Sequence, residues 1–337
     1  MTRTVRHRDG APETILPRGL LERGRTGGYP VEYLLSRVRG RRSRLIPDWK
    51  PLIYGAPPAE YLASPQYHGF IRERSLDGLW QSLQQEHQWI FSQLDEGMRR
   101  MLAPYFLYAE LRSITVCLRM LEGEKAQETA PVLAGSLLCG KLKQALSGGE
   151  ADAAVAAVEE LFCGISPAFR GMQEVHEKKG MRELEQQLVG RYLGAVLKQP
   201  LHPVLRELFV RIIDARNILS LYKSLRLASR DDSIFLPGGT IPVERLRDLQ
   251  ERDDLFAAVT LVRQAAGITI AAPEPTQVEV ALYRGITRFL KREGRDPLSV
   301  GLIIDYLWRC SMEVTNLSVL FAGKDLEREA IAAELVQ

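Results

Sequence analysis

Nothing in this 337-residue sequence is spaced for metal or disulfide chemistry. The four cysteines, Cys117, Cys139, Cys163 and Cys310, form no CxxC pair, and each sits among apolar neighbours as a buried small hydrophobe does. Free thiols point to a reducing compartment. His7, His68, His87, His176 and His202 never fall three or four residues apart, so no two can share a helix turn on a metal. No nucleophile elbow and no HExxH occurs, and no carboxylate pair stands out from ordinary helix-surface charge. Long apolar runs are lacking: "VGLIIDYLW" is about half a membrane span and contains Asp305, so the chain is not expected to cross a bilayer. The first 28 residues have no apolar h-region, which argues against secretion, and their Gly and Pro argue against a transit helix. Strand-type alternation is almost absent.

Helical periodicity takes its place. "ADAAVAAVEELF", "MRELEQQLVGRYLGAVL" and "AIAAELV" are rich in the better helix formers, and the chain reads as all-α. Net charge is only +3, and the basic excess is local. Residues 1–44 hold eleven arginines against Asp9, Glu13, Glu22 and Glu32, leaving the remainder slightly acidic. Five of those arginines, Arg37, Arg39, Arg41, Arg42 and Arg44, fall in "YLLSRVRGRRSRLI", where Leu34, Leu35, Val38 and Leu45 suit an amphipathic helix. A nucleic-acid binder usually spreads positive charge over a whole face. A helical nucleic-acid adaptor built on this Arg-rich start is therefore the alternative reading, and a partner-facing helix the main one.

The sequence repeats itself. "GSLLCGKL" at Gly135 and "GTIPVERL" at Gly239 align at an offset of 104, and Ala153-Ala154-Val155 falls on Ala257-Ala258-Val259. The same offset places Glu110-x-x-Ser113-Ile114 on Asp214-x-x-Asn217-Ile218, and Glu313-x-x-Asn316-Leu317 follows as a further copy. A fainter likeness links Gly55–Leu62 to Gly239–Leu246. The unit is a glycine loop, a capped helix, a small bundle and an acid-x-x-Asn/Ser helix, occurring three times. It divides the chain into a basic mobile extension (1–28) and repeats at 29–125, 126–229 and 230–337. Glu110, Asp214 and Glu313 read as residues holding repeat contacts rather than as catalytic acids.

"GSLLCGKL" also spells the phosphate-loop pattern GxxxxGK, but Leu142 stands where the magnesium hydroxyl belongs and no strand precedes Gly135. Ser136 and Thr240 read instead as helix N-caps. A hydrolase built on Lys141 is the least favoured class, and no cofactor or small-molecule substrate is expected.

Taken in order, "YLLSRVRGRRSRLI", "YFLYAELRSITVCLRML" with "PVLAGSL", "DARNILSLYKSL" with "FLPGGTI", and the ending from Asp296 resemble the C subunit (d in eukaryotes) of the rotary V/A-type ATPases. The resemblance spans residues 29–337. Ser113, where that family prefers Asn, and the degenerate first glycine loop depart from its pattern. It implies three similar all-helical domains arranged as a funnel about a pseudo-threefold axis. It also implies a non-catalytic socket, on the cytoplasmic side of the membrane, joining the central axle to the membrane rotor ring. Such a protein would touch the membrane only through its complex and would bind no nucleic acid. Arg37, Arg39, Arg41, Arg42 and Arg44 would then serve a protein partner or the ring. Arg119, Lys223 and Lys324, near the ends of the motif helices, would present positive charge to a shared partner, with Glu110, Asp214, Asn217, Glu313 and Asn316 at interfaces or repeat contacts.

Overall fold

Helix-forming segments follow one another from Val31 almost to the C-terminus. The structure is a computed structural model that describes residues 19–22, 27–55, 76–164, 166–227, 235–270, 274–323 and 325–336. Among them lie fifteen α-helices and no strand, as the periodicity predicts. In chain order these are α1 (Val31–Arg42), α2 (Lys50–Tyr54), α3 (Leu76–Gln93), α4 (Glu96–Glu122), α5 (Thr129–Ala134), α6 (Gly140–Ser147), α7 (Ala151–Cys163), α8 (Met172–Lys179) and α9 (Met181–Leu197). They continue with α10 (Pro203–Leu227), α11 (Val243–Glu251), α12 (Leu255–Ala266), α13 (Pro275–Glu293), α14 (Gly301–Ala322) and α15 (Arg328–Glu334).

The long helices begin and end where local chemistry allows. Asp95 caps α4 by accepting from the Met98 N–H at 2.8 Å, and Asp254 caps α12 through the Ala257 N–H at 2.8 Å. Each satisfies one of the amides left free in a first helical turn. Gly267 ends α12 in the left-handed region, at φ +66°. The faces turned inward carry Leu102, Phe106 and Ile114 on α4, Leu208, Phe209 and Ile213 on α10, and Ile303, Ile304 and Leu307 on α14, all buried.

Contacts between helices run in a circuit. α4 packs on α9, α10 packs on α13, and α14 returns to α3 and α1. The first junction is aromatic: Tyr108, Tyr192 and Phe209 cluster, and the Tyr192 hydroxyl donates to the Pro104 carbonyl at 2.6 Å. At the second, the Arg211 guanidinium lies 4.7 Å from the Phe289 ring centroid. The third junction is polar. Arg41 pairs with Glu86 at 2.6 Å, the Tyr306 hydroxyl donates to the other oxygen of Glu86 at 2.8 Å, and Arg42 reaches both Asp305 and the Gly294 carbonyl at 2.8 and 2.9 Å.

A short piece of the segment read as an extension is docked. Leu20 and Leu21 are buried, Leu21 bridges to Leu138, and Cys139 N–H donates to the Leu20 carbonyl at 2.8 Å. Residues 1–18 and 23–26 of that segment lie outside the described residues, as does most of the stretch Gly55–Leu62.

Candidate interaction site: a cavity ringed by buried carboxylate clamps

The circuit of helices encloses a cavity of about 830 Å³. Helices from each third of the chain line it: Trp80 on α3, Arg112 on α4, Val189 on α9, Arg216 on α10, Tyr283 on α13 and Trp308 on α14. Arg112 and Arg216 stand two residues after the acids Glu110 and Asp214, and Thr315, also on the lining, stands two after Glu313. One helical position in each repeat therefore faces the same space. The Arg112 guanidinium lies 3.1 Å from the Trp80 ring centroid, and burial pulls its pKa down to about 10. His87 also borders the cavity; its buried Nε2 has no hydrogen-bond partner, and burial lowers its pKa to about 4, which keeps the ring neutral.

Of the repeated acids, Glu110 borders the cavity itself while Asp214 and Glu313 stand off its lining, and each clamps a loop. Glu110 accepts from the Ser136 hydroxyl and the Leu137 N–H, both at 2.7 Å. Asp214 accepts from the Thr240 hydroxyl at 2.6 Å and the Ile241 N–H at 3.2 Å. Glu313 accepts from the Ile46 N–H at 2.5 Å. In the first two clamps the donors lie 26 and 27 residues downstream; in the third the donor comes from the other end of the chain, 267 residues away. Leu45 stands where the first two loops have a hydroxyl, so Glu313 gains a single backbone donor. Burial raises the pKa of Glu110 against hydrogen bonds from Leu137, Ser136 and Ser113, and it raises that of Glu313 to about 8. Buried carboxyls with few donors hold their protons.

The Asn positions clamp backbone as well. Asn217 donates to the Leu236 carbonyl and accepts from its N–H, both at 2.8 Å; Asn316 does the same for Val336 at 2.8 and 2.9 Å. In the first repeat Ser113 is too short to make this bridge. Gln84 of α3 supplies the missing amide, donating to Ser113 at 3.2 Å and to the Val132 carbonyl at 2.9 Å. Val132 and Leu236 are 104 residues apart, so the substitute reaches the equivalent carbonyl. Gly239 is required in the second loop, because a Cβ there would come within 2.2 Å of the Asp214 carboxylate.

One sequence expectation needs correction. Ser136 and Thr240 are not N-caps: α6 starts behind Cys139 and α11 behind Pro242, both without a side-chain cap, and the two hydroxyls lie in the loops before them, donating to Glu110 and Asp214. The five arginines divide between two environments. Arg41 and Arg42 turn inward to Glu86 and Asp305, whereas Arg37, Arg39 and Arg44 are exposed. Arg119 lies in a two-pronged pair with Glu185 that links α4 to α9. Lys223 is exposed, and Lys324 lies outside the described residues.

Sequence reasoning missed Gln84, Glu86, Asp305 and Ile46, whose spacings carry no motif, and the cavity aromatics Trp80, Tyr283 and Trp308. No group of three or more His, Cys, Asp or Glu among the described residues is placed to hold a metal. No helix among them is long and apolar enough to cross a membrane.

Known proteins resemble this chain over most of its length. A family model described as "ATP synthase (C/AC39) subunit" matches residues 59–334. The chain is 24% identical to the C subunit of the A-type ATP synthase of Haloferax volcanii over 354 aligned residues, covering 92% of this chain and 99% of that protein. It is 26% identical to the C subunit of the V-type ATP synthase of Thermus thermophilus over 162 residues, 46% of this chain and 49% of that protein.

Proposed function

The chain belongs to the ATP synthase (C/AC39) subunit family, structural rather than catalytic components of V/A-type ATP synthases, and from that premise we propose that it is the socket of the central stalk. In this reading the foot of the central axle enters the cavity, and the opposite face seats the protein on the membrane rotor ring. The protein is then cytoplasmic and peripheral to the membrane, passing torque during ATP-driven ion transport or ATP synthesis. The observation that carries the reading is that all three thirds of the chain contribute to one cavity, with Arg112, Arg216 and Thr315 at matching repeat positions. An axle engaged from three sides transmits rotation without depending on a single contact. The repeats 29–125, 126–229 and 230–337 are the domains of this arrangement, related by a pseudo-threefold axis, and the matching clamps support that relation.

The clamp residues Glu110, Asp214, Asn217, Glu313 and Asn316 hold the repeats together, and of these Glu110 also borders the cavity. Arg119 braces α4 against α9, and exposed Lys223 remains available to a partner.

The test is photo-crosslinking in the assembled complex, with benzoylphenylalanine placed at Trp80, Val189 and Tyr283 in turn. Axle adducts from all three positions are expected. Adducts to the ring alone, or to the axle from one third only, would refute the socket.

A further inference from the structure

We propose that a hollow on α1 binds the phosphate of an acidic phospholipid headgroup. The hollow, about 420 Å³, is lined by Ser36, Arg37, Gly40, Arg41 and Arg44. Arg41 is held in place before any ligand arrives, its guanidinium 3.6 Å from the Trp89 ring centroid and paired with Glu86 at 2.6 Å. Arg37 donates to the Tyr33 hydroxyl at 3.3 Å, and neither Arg37 nor Arg44 has a carboxylate partner among the described residues. Three guanidiniums therefore face one neutralising carboxylate, and positive charge is left over.

Gly40 is the second observation. Inside a helix glycine costs stability relative to alanine, yet here nothing lies within 4 Å of where its Cβ would be. The residue is not needed for packing; it leaves the floor of the hollow open. Guanidinium forks match the several oxygens of a phosphate group. A duplex or strand of nucleic acid needs a continuous basic track, whereas this is one hollow on a chain whose residues beyond 44 are slightly acidic. At the N-terminal end of the same stripe Tyr33 is 46% exposed, a ring with a polar tip of the kind found at membrane–water interfaces. The proposal does not need the axle to enter the cavity.

The experiment is co-flotation of the full chain with vesicles of phosphatidylcholine alone or with about one third phosphatidylglycerol, the lipid that supplies the surface charge. Wild type should float with the acidic vesicles only. R37Q/R44Q should lose binding roughly tenfold or more, since each surface cation contributes several-fold. G40L, which fills the hollow without changing charge, should lose it comparably, and R245Q/R247Q on α11 should not. Circular dichroism checks that each variant folds. Wild-type binding of G40L would reduce the effect to general attraction and overturn the site. Equal flotation with neutral vesicles would overturn the acidic headgroup. Tight binding of inorganic phosphate with no flotation, or of an RNA oligomer lost in the same variants in preference to vesicles, would overturn the lipid reading.

Discussion

Replacing Glu313 by glutamine should make the protein more stable in alkaline solution and leave it nearly unchanged in acid. The folded carboxyl titrates near pH 8, against 4.5 for the ordinary group, because burial disfavours its charge and only the Ile46 N–H compensates. Below pH 4.5 the group is protonated whether the chain is folded or not, and the shift costs nothing. Between 4.5 and 8 the unfolded chain gives up the proton and the folded chain keeps it, so stability falls as pH rises, by about 1.4 kcal/mol per unit. Above pH 8 the cost, on the order of 5 kcal/mol, is fully present. Glutamine keeps an oxygen for the Ile46 N–H and has no charge to bury. Urea unfolding of both proteins at about pH 5, 7 and 9 gives the difference directly; the midpoints should nearly coincide at about pH 5 and separate by about 1 M at about pH 9. Glu86 and Asp305, whose pKa values burial also raises, are present in both proteins and cancel. A midpoint difference that does not change with pH, or a variant destabilised throughout, would refute this account of the clamp.

Asn217→Ala removes two hydrogen bonds from a fully buried side chain and strands the Leu236 backbone, for a loss of roughly 2–4 kcal/mol in the same assay. Gln84→Ala should weaken the first repeat in the same direction but less, since only the amide donors to Ser113 and Val132 are lost. Arg42→Leu leaves Asp305 buried without its partner and should cost about 3–5 kcal/mol, most of it recovered by adding Asp305→Leu. Calorimetry should detect no ATP binding by the isolated chain, and none should be gained or lost in Lys141→Ala, because the residues around Lys141 form a loop and helix held by Glu110 rather than a phosphate cradle.

The repeated acid-x-x-Asn was visible as a pattern, and its acids and asparagines make buried hydrogen bonds to backbone. What the pattern could not reveal was the donor at each site. For Glu110 and Asp214 the donors lie at a constant spacing downstream, whereas the donor to Glu313 lies 267 residues upstream. Ile46 fills the place by folding back from the start of the chain, a relation only tertiary structure can express. The hydroxyls of Ser136 and Thr240 misled for a related reason. A serine or threonine before a helix is a sound local cap signal, but here the helices begin further on, behind Cys139 and Pro242, and the hydroxyls lie in the preceding loops, donating to carboxylates from another helix. The arginine run shows a similar limit: adjacent Arg41 and Arg42 pair with Glu86 and Asp305, 45 and 263 residues away, while their neighbours stay at the surface.

The junction between α14 and the segment around Ile46 has a mechanical consequence. Three bodies joined by two contacts form a jaw that an object pushed between them can pry open. A third contact turns the jaw into a hoop, in which outward pressure becomes tension shared around the circumference. Here the chain supplies continuous covalent connection across two junctions, while the last is fastened by hydrogen bonds and ion pairs between its two ends. In the proposed socket that fastening is the buckle of the hoop, and under the axle's load it is the place expected to open first.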